Sequence, residues 1–140
     1  MSSAIEPATL RAYQQTEYRV QGSTAAILRV GVKSAQLAAL HQTHQTDCSV
    51  FITACNPRGE LLEAAVNVQR QEALAAEISQ RGYVALAGIG QHPTGRWPAE
   101  PSYLVLGVTR AAARHLGLQF EQNAILWAGS DAIPELILLR

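Results

Sequence analysis

The run Ser49-Val50-Phe51-Ile52-Thr53-Ala54-Cys55 stops at Asn56-Pro57-Arg58-Gly59, and a long helical pattern follows it. The run is apolar on both faces, as a central strand is. Asn-Pro and Gly mark a turn. The helical pattern spans about Leu61 to Gln80 and ends at Gly82, a residue suited to a left-handed C-cap. With about 100° per residue, Asn67, Arg70, Gln71, Leu74 and Ile78 share one stripe of that helix. Leu74 and Ile78 anchor it to a core, so the stripe turns polar in its N-terminal half. In a strand-turn-helix unit this polar half lies beside the strand's C-terminal end, where Thr53 and Asn56 also sit. Sites in open sheets containing parallel strands gather at that edge. Polar groups directed at a core need a partner, either protein or ligand.

The flanking segments predict an α+β chain. A helix is expected over about Pro7 to Gln15, with proline in its first turn. Strands at Tyr18 to Val20 and Ala25 to Val30 join through a turn at Gln21-Gly22-Ser23. Ser34 caps a helix over about Ala35 to Gln45. Strands follow at Tyr83 to Ile89 and Ser102 to Val108, separated by the irregular stretch from Gly90 to Pro101, where three prolines and two glycines forbid regular structure. Thr109 caps a helix expected to stop at Gly117, and strands close the chain at Asn123 to Ala128 and Glu135 to Leu139. The expected architecture is one domain over residues 1–140, with residues 1–6 flexible. It is a mixed sheet of about five to seven strands carrying three to four helices.

Composition narrows the function classes. A chain of 140 residues with 48% hydrophobic residues builds one core without staples. Its formal charge of zero lacks the bulk attraction of a nucleic-acid or membrane-surface binder, so neither partner is expected. Ten of the eleven basic residues are arginine, the residue suited to forked recognition of phosphate or carboxylate. No apolar run approaches the roughly 20 residues of a membrane span, and the N-terminus lacks signal-peptide character. Cys48 and Cys55 lie about 23 Å apart on one extended strand, beyond disulfide reach, which suits small buried hydrophobes in a reducing cytoplasm.

Several motifs carry little. His41-x-x-His44 has helical metal-ligand spacing but no clear third ligand, and histidines suit a helix's last turn in any case. Gly88-x-Gly90 is a fragment of a dinucleotide fingerprint with no helix behind it. No Walker, nucleophile-elbow or zincin motif is present, and Lys33, the one lysine, sits at a helix start. No cofactor and no metal is implied.

Taken together, Phe51-Ile52-Thr53-Ala54-Cys55-Asn56-Pro57, Asn67-x-x-Arg70-x-x-x-Leu74, Trp97-x-x-Glu100-x-Ser102 and Phe120-x-Gln122-Asn123-Ala124 resemble a bacterial family known as domain of unknown function 3293. The resemblance covers about residues 17–139. It implies no activity, and Cys55 departs from a family position that is commonly aromatic. Thr53, Asn56, Pro57, Asn67, Arg70, Trp97, Glu100 and Gln122 match its pattern.

Two functional readings follow. In the first, a cytoplasmic protein holds a small anionic or nucleotide-like ligand at Thr53, Asn56, Asn67, Arg70, Trp97, Glu100 and Gln122. Arg70 binds the anion, Asn56 and Asn67 orient it, Trp97 covers it, and Glu100 is the candidate acid or base. Set against it, Asn56 caps its own turn, Asn67 bonds loop backbone, Arg70 pairs with Glu100 and Trp97 lids the core. In the second reading the chain is a non-catalytic interaction or regulatory module, a homodimer pairing through the Glu135 to Leu139 edge.

Overall fold

The computed structural model describes residues 4–22, 25–95 and 97–140. Its elements are α1 (Pro7–Gln15), β1 (Glu17–Val20), β2 (Ala26–Leu28), α2 (Ala35–Thr43), β3 (Ser49–Ile52), α3 (Ala64–Gln80), β4 (Val84–Gln91), β5 (Glu100–Leu106), α4 (Arg110–Gln119), β6 (Ala124–Ala128) and β7 (Glu135–Leu138). A short 3-10 turn, Pro57–Gly59, links β3 toward α3. The class is α+β. Ser23 of the expected first turn, Arg96 of the long loop and residues 1–3 lie outside the described residues. Within the segment expected to be flexible, Ile5 is buried.

The seven strands form one sheet in the order β2-β1-β4-β5-β3-β6-β7. Every adjacent pair is antiparallel, where a mixed sheet was expected. The reason lies in the crossovers. Helix α3 carries the chain from β3 to β4 across the intervening β5, and α4 carries it from β5 to β6 across β3. Each helix returns a strand parallel to its predecessor, but one place removed, so no parallel pair shares hydrogen bonds. This is the split β-α-β arrangement of a ferredoxin-like core. It is extended by β1 and β2 at one edge and by β7 at the other.

Strand alternation divides the interior into two cores. Val50, Ile52, Val105 and Ile125 face α3 and α4, packing on Leu74, Ile78, Ala113 and Leu116. Val20, Leu28, Phe51, Leu104, Leu106 and Leu126 face the other side, against Leu37 and Leu40 of α2. The sheet curls toward this second side. Gly31 N–H bonds Pro134 O at 2.8 Å and Ser34 N–H bonds Ala132 O at 3.0 Å, tying the segment after β2 to the segment before β7. The two ends of the sheet therefore approach each other, and the α2 side is concave.

Local chemistry sets the element ends. Ser34 Oγ accepts from Leu37 N, and Thr109 Oγ1 from Ala112 N, as N-caps. At the end of α3, Gly82 at φ +78° donates to Ser79 O while Tyr83 N–H bonds Ile78 O, the paired bonds of a Schellman cap. Gly117 does not end its helix; α4 continues to Gln119. A Cβ there would meet Leu139 Cδ1 at 2.5 Å and Ile125 Cγ2 at 2.8 Å. Glycine at 117 serves close packing of α4 on the sheet rather than termination. Strand β3 ends at Ile52 rather than Cys55, because beyond it side chains take over the backbone bonding.

Candidate functional site

Past the last ladder residue of β3, the chain is held by side chains from other elements. Thr53 donates its hydroxyl to Pro101 O at 2.7 Å and accepts from Cys55 N. Gln71 Oε1 accepts from Ala54 N at 3.0 Å. Asn56 adopts the left-handed conformation, φ 48° and ψ 63°, which asparagine tolerates better than most residues. Both polar atoms of its side chain are engaged. Oδ1 accepts from Leu62 N at 3.0 Å and from Asn67 Nδ2 at 2.8 Å, and Nδ2 donates to Glu100 Oε2 at 2.8 Å. Asn67 Oδ1 accepts from Asn56 N at 2.9 Å. The two carboxamides thus lock the turn and present Glu100 with a fixed donor.

Glu100 opens β5 and shares the face of Ser102, Leu104 and Leu106, so its carboxyl lies on the concave side. Burial pushes its pKa up, an effect the Asn56 hydrogen bond partly offsets. It does not pair with Arg70. Arg70 Nε donates to Ala54 O and its Nη2 to Phe120 O, both at 2.7 Å. One guanidinium therefore staples the end of β3 to the end of α4, on the convex side. Its contact with Glu121 is looser, at 3.8 Å.

The carboxyl of Glu100 looks into a cavity of about 280 Å³. The floor is sheet: Tyr18, Phe51, Gly90, Ser102, Ala124, Leu126 and Leu136. Thr9, Ala12 and Tyr13 of α1, with its C-cap Thr16, form the roof, and Trp97, Pro98 and Leu61 stand at the rim. The glycine at 90 leaves open space, since a Cβ there would lie 3.8 Å from its nearest neighbour, Thr16. Gly88, one alternation away, is filled instead by the Phe51 ring. The Gly88-x-Gly90 motif is thus a pair of strand positions beneath an aromatic ring and a cavity.

The last turn of α1 is pinned from three directions. Tyr18 Oη donates to Tyr13 O at 2.6 Å, Asn123 Nδ2 donates to Tyr13 Oη at 3.0 Å, and His92 Nε2 meets Gln15 Oε1 at 3.2 Å. Because His92 Nδ1 accepts from Thr94 N, Nε2 carries the proton and donates to Gln15. Burial raises the pKa of Tyr13 and Tyr18 alike.

Of the seven residues expected at a site, Thr53, Asn56, Trp97, Glu100 and Gln122 line this cavity. Asn67 stands behind Asn56 as its support, and Arg70 lies outside. The α1 wall, Tyr18 and Ser102 were not anticipated. Ser102 shares its strand face with Glu100 at a spacing of two, a legible signal. Nothing in the α1 sequence marks it as a roof. The helix carrying His41 and His44 does other work. His41 is buried, its Nε2 2.8 Å from Ser49 Oγ, and burial lowers its pKa. His44 is the exposed C-cap residue. Cys55 is buried and its thiol pKa is pushed up, which disfavours the reactive thiolate. No helix among the described residues is long and apolar enough to cross a membrane.

A family model described as "Protein of unknown function (DUF3293)" matches residues 52–125, just over half of the chain. That span begins at the end of β3 and includes Thr53, Asn56, Asn67, Arg70, Trp97, Glu100 and Gln122. Comparisons with curated proteins and with solved structures give no match.

Proposed function

The chain belongs to the DUF3293 family, which brings no assigned activity, and we propose that it binds a small, largely apolar molecule in the concave-face cavity. The observation that carries this reading is a half-buried carboxyl, Glu100, fixed by Asn56 and facing open space among aromatic side chains. A cavity of about 280 Å³ falls just below the range of small-molecule sites, roughly 300–1,000 Å³. Apolar walls supply affinity, and the few polar groups fix orientation. A ligand anchored as an anion would need a cation in the wall. Arg70, the residue expected to provide it, bonds two backbone carbonyls elsewhere, and among the described residues no arginine or lysine lines the cavity.

The direct test is amide and side-chain NMR during titration with a small-fragment library, using Gly90→Val as the blocking control. The space around Gly90 accepts a first carbon without collision, and valine favours a strand. The variant should therefore fold while filling the cavity. Shifts confined to Tyr13, Tyr18, Trp97 and Glu100 that vanish in G90V support the reading. Binding that survives G90V, or no binding by any fragment, contradicts it.

A second reading, a non-catalytic interaction module or homodimer, rests on β7 standing as the last strand of the sheet. Light scattering tests it: a concentration-independent monomer argues against pairing through that edge.

A further inference from the structure

Building on the cavity reading, we infer that its ligand class is the small organic amine, bound as a cation whose ammonium group donates to Glu100. The hydrogen-bond polarity of the wall leads to this class. Thr16 donates its hydroxyl proton to Ala12 O, Tyr18 to Tyr13 O, Thr53 to Pro101 O and Ser102 to Glu100 O. The Gln122 amide directs its N–H groups to Cys55 O and Phe120 O, each at 3.2 Å, and so offers a ligand its carbonyl oxygen. The Asn56 amide commits its oxygen to Leu62 N and Asn67 Nδ2 and one N–H to Glu100, and His92 gives its ring proton to Gln15. These donors are turned into the protein; a second N–H of Asn56, the Trp97 indole N–H at the rim and two hydroxyls remain, and the other side-chain atoms offered to a ligand are oxygens. Among the wall's described hydroxyls, Thr9 and Tyr13 alone donate to no described group. A wall in which acceptors outnumber free donors around one carboxyl suits a guest rich in donors. The aromatic faces of Tyr13, Tyr18, Phe51 and Trp97 add the attraction of π-systems for a cation.

The same geometry separates this class from its competitors. A carboxylate or phosphate would face Glu100 and lone pairs with no described cation in the wall. A neutral carbonyl compound would need Glu100 to remain protonated and donate. An ammonium needs Glu100 ionised. The titratable and charged groups around the carboxyl are Tyr13 of α1, Tyr18 of β1, Cys55 beyond β3 and His92 beyond β4. Arg70 of α3 stands behind Cys55, and Arg140 interacts with Tyr13. Among the described residues no arginine or lysine lines the cavity, so the arrival of a cationic ligand beside Glu100 should drive a proton off any neutral carboxyl it meets.

The experiment is calorimetric titration of the full chain with 2-phenylethylamine, 2-phenylethanol and phenylacetate, in buffers of differing ionisation enthalpy and across pH. The amine should bind about tenfold or more tighter than the alcohol, the scale of one charge-assisted hydrogen bond. Phenylacetate should bind more weakly than either. Amine affinity should rise with pH until Glu100 is ionised in the free protein, with buffer-dependent proton release below that point. Glu100→Gln should remove the preference for amine over alcohol. Equal amine and alcohol affinities, or affinity that falls with rising pH, overturn the amine assignment but leave the cavity reading standing. Failure of all three probes, in a protein whose fragments also fail, overturns both.

Discussion

Asn56→Ala is the substitution that tests the site's construction most severely. It removes the acceptor of Leu62 N and Asn67 Nδ2 and the donor to Glu100, three contacts of 3.0, 2.8 and 2.8 Å. Each partner left unsatisfied in a buried setting costs about 1–3 kcal/mol. Alanine at φ 48° adds roughly 1 kcal/mol, because the left-handed region crowds its Cβ against the following carbonyl. The three contacts belong to one network and do not add, so the expected loss is about 3–5 kcal/mol. That is a large part of the roughly 5–15 kcal/mol that holds a domain together. Asn56→Gly separates the terms: it relieves the backbone and should recover only about 1 kcal/mol. Urea denaturation at neutral pH, followed by far-ultraviolet circular dichroism, measures all three proteins. A loss below about 1 kcal/mol for N56A, with unchanged denaturant slope, would show that the network does not stabilise the turn.

Three further outcomes follow from the same geometry. Glu100→Gln should be more stable than the wild type at neutral and alkaline pH. Burial raises the folded-state pKa of Glu100, so its ionisation costs stability above that pKa and nothing below the unfolded value. The stability difference between the two proteins should therefore vanish near pH ~3, and a difference that grows on acidification would reverse the sign. Arg70→Ala frees the carbonyl of Ala54, leaves that of Phe120 with Gln122 alone, and should cost about 2 kcal/mol in chemical denaturation without altering fragment binding in the cavity; a selective loss of binding would return Arg70 to the site. Gly88→Ala places a Cβ 2.7 Å from Arg19 O and 2.7 Å from Phe51 Cε2, where backbone cannot yield, and should lower stability by about 1–3 kcal/mol; an unchanged melting profile would contradict the close approach of β1 and β4.

The strand-turn-helix corner was legible because its signals are local. An apolar run, Asn-Pro, and a helical stripe that changes from Asn67 and Arg70 to Leu74 and Ile78 bring those residues near one another without knowledge of strand order. The face each one serves was not legible. Strand β3 is apolar on both sides, so periodicity could not say that Phe51 belongs to the concave core and Val50 and Ile52 to the convex one. Arg70 and Glu100 approach the same corner from opposite sides of the sheet, which a helical projection cannot distinguish from convergence. The antiparallel sheet was hidden for a related reason. A helix following a strand is compatible with a neighbouring parallel partner or with one a place further on, and the choice depends on where β5 inserts. The roof of the cavity was least accessible of all. Helix α1 reaches it through contacts such as Tyr13 with Asn123, 110 residues apart in sequence.

The central claim is that Glu100 is a half-buried carboxyl held by an amide and open to a cavity, not half of an ion pair. Carbon-13 NMR titration of the Glu100 carboxyl, in the wild type and in Arg70→Ala, measures this directly. Titration above the ordinary glutamate value, unmoved by R70A, is the predicted result. Titration at or below that value in the wild type, rising when Arg70 is removed, would contradict it.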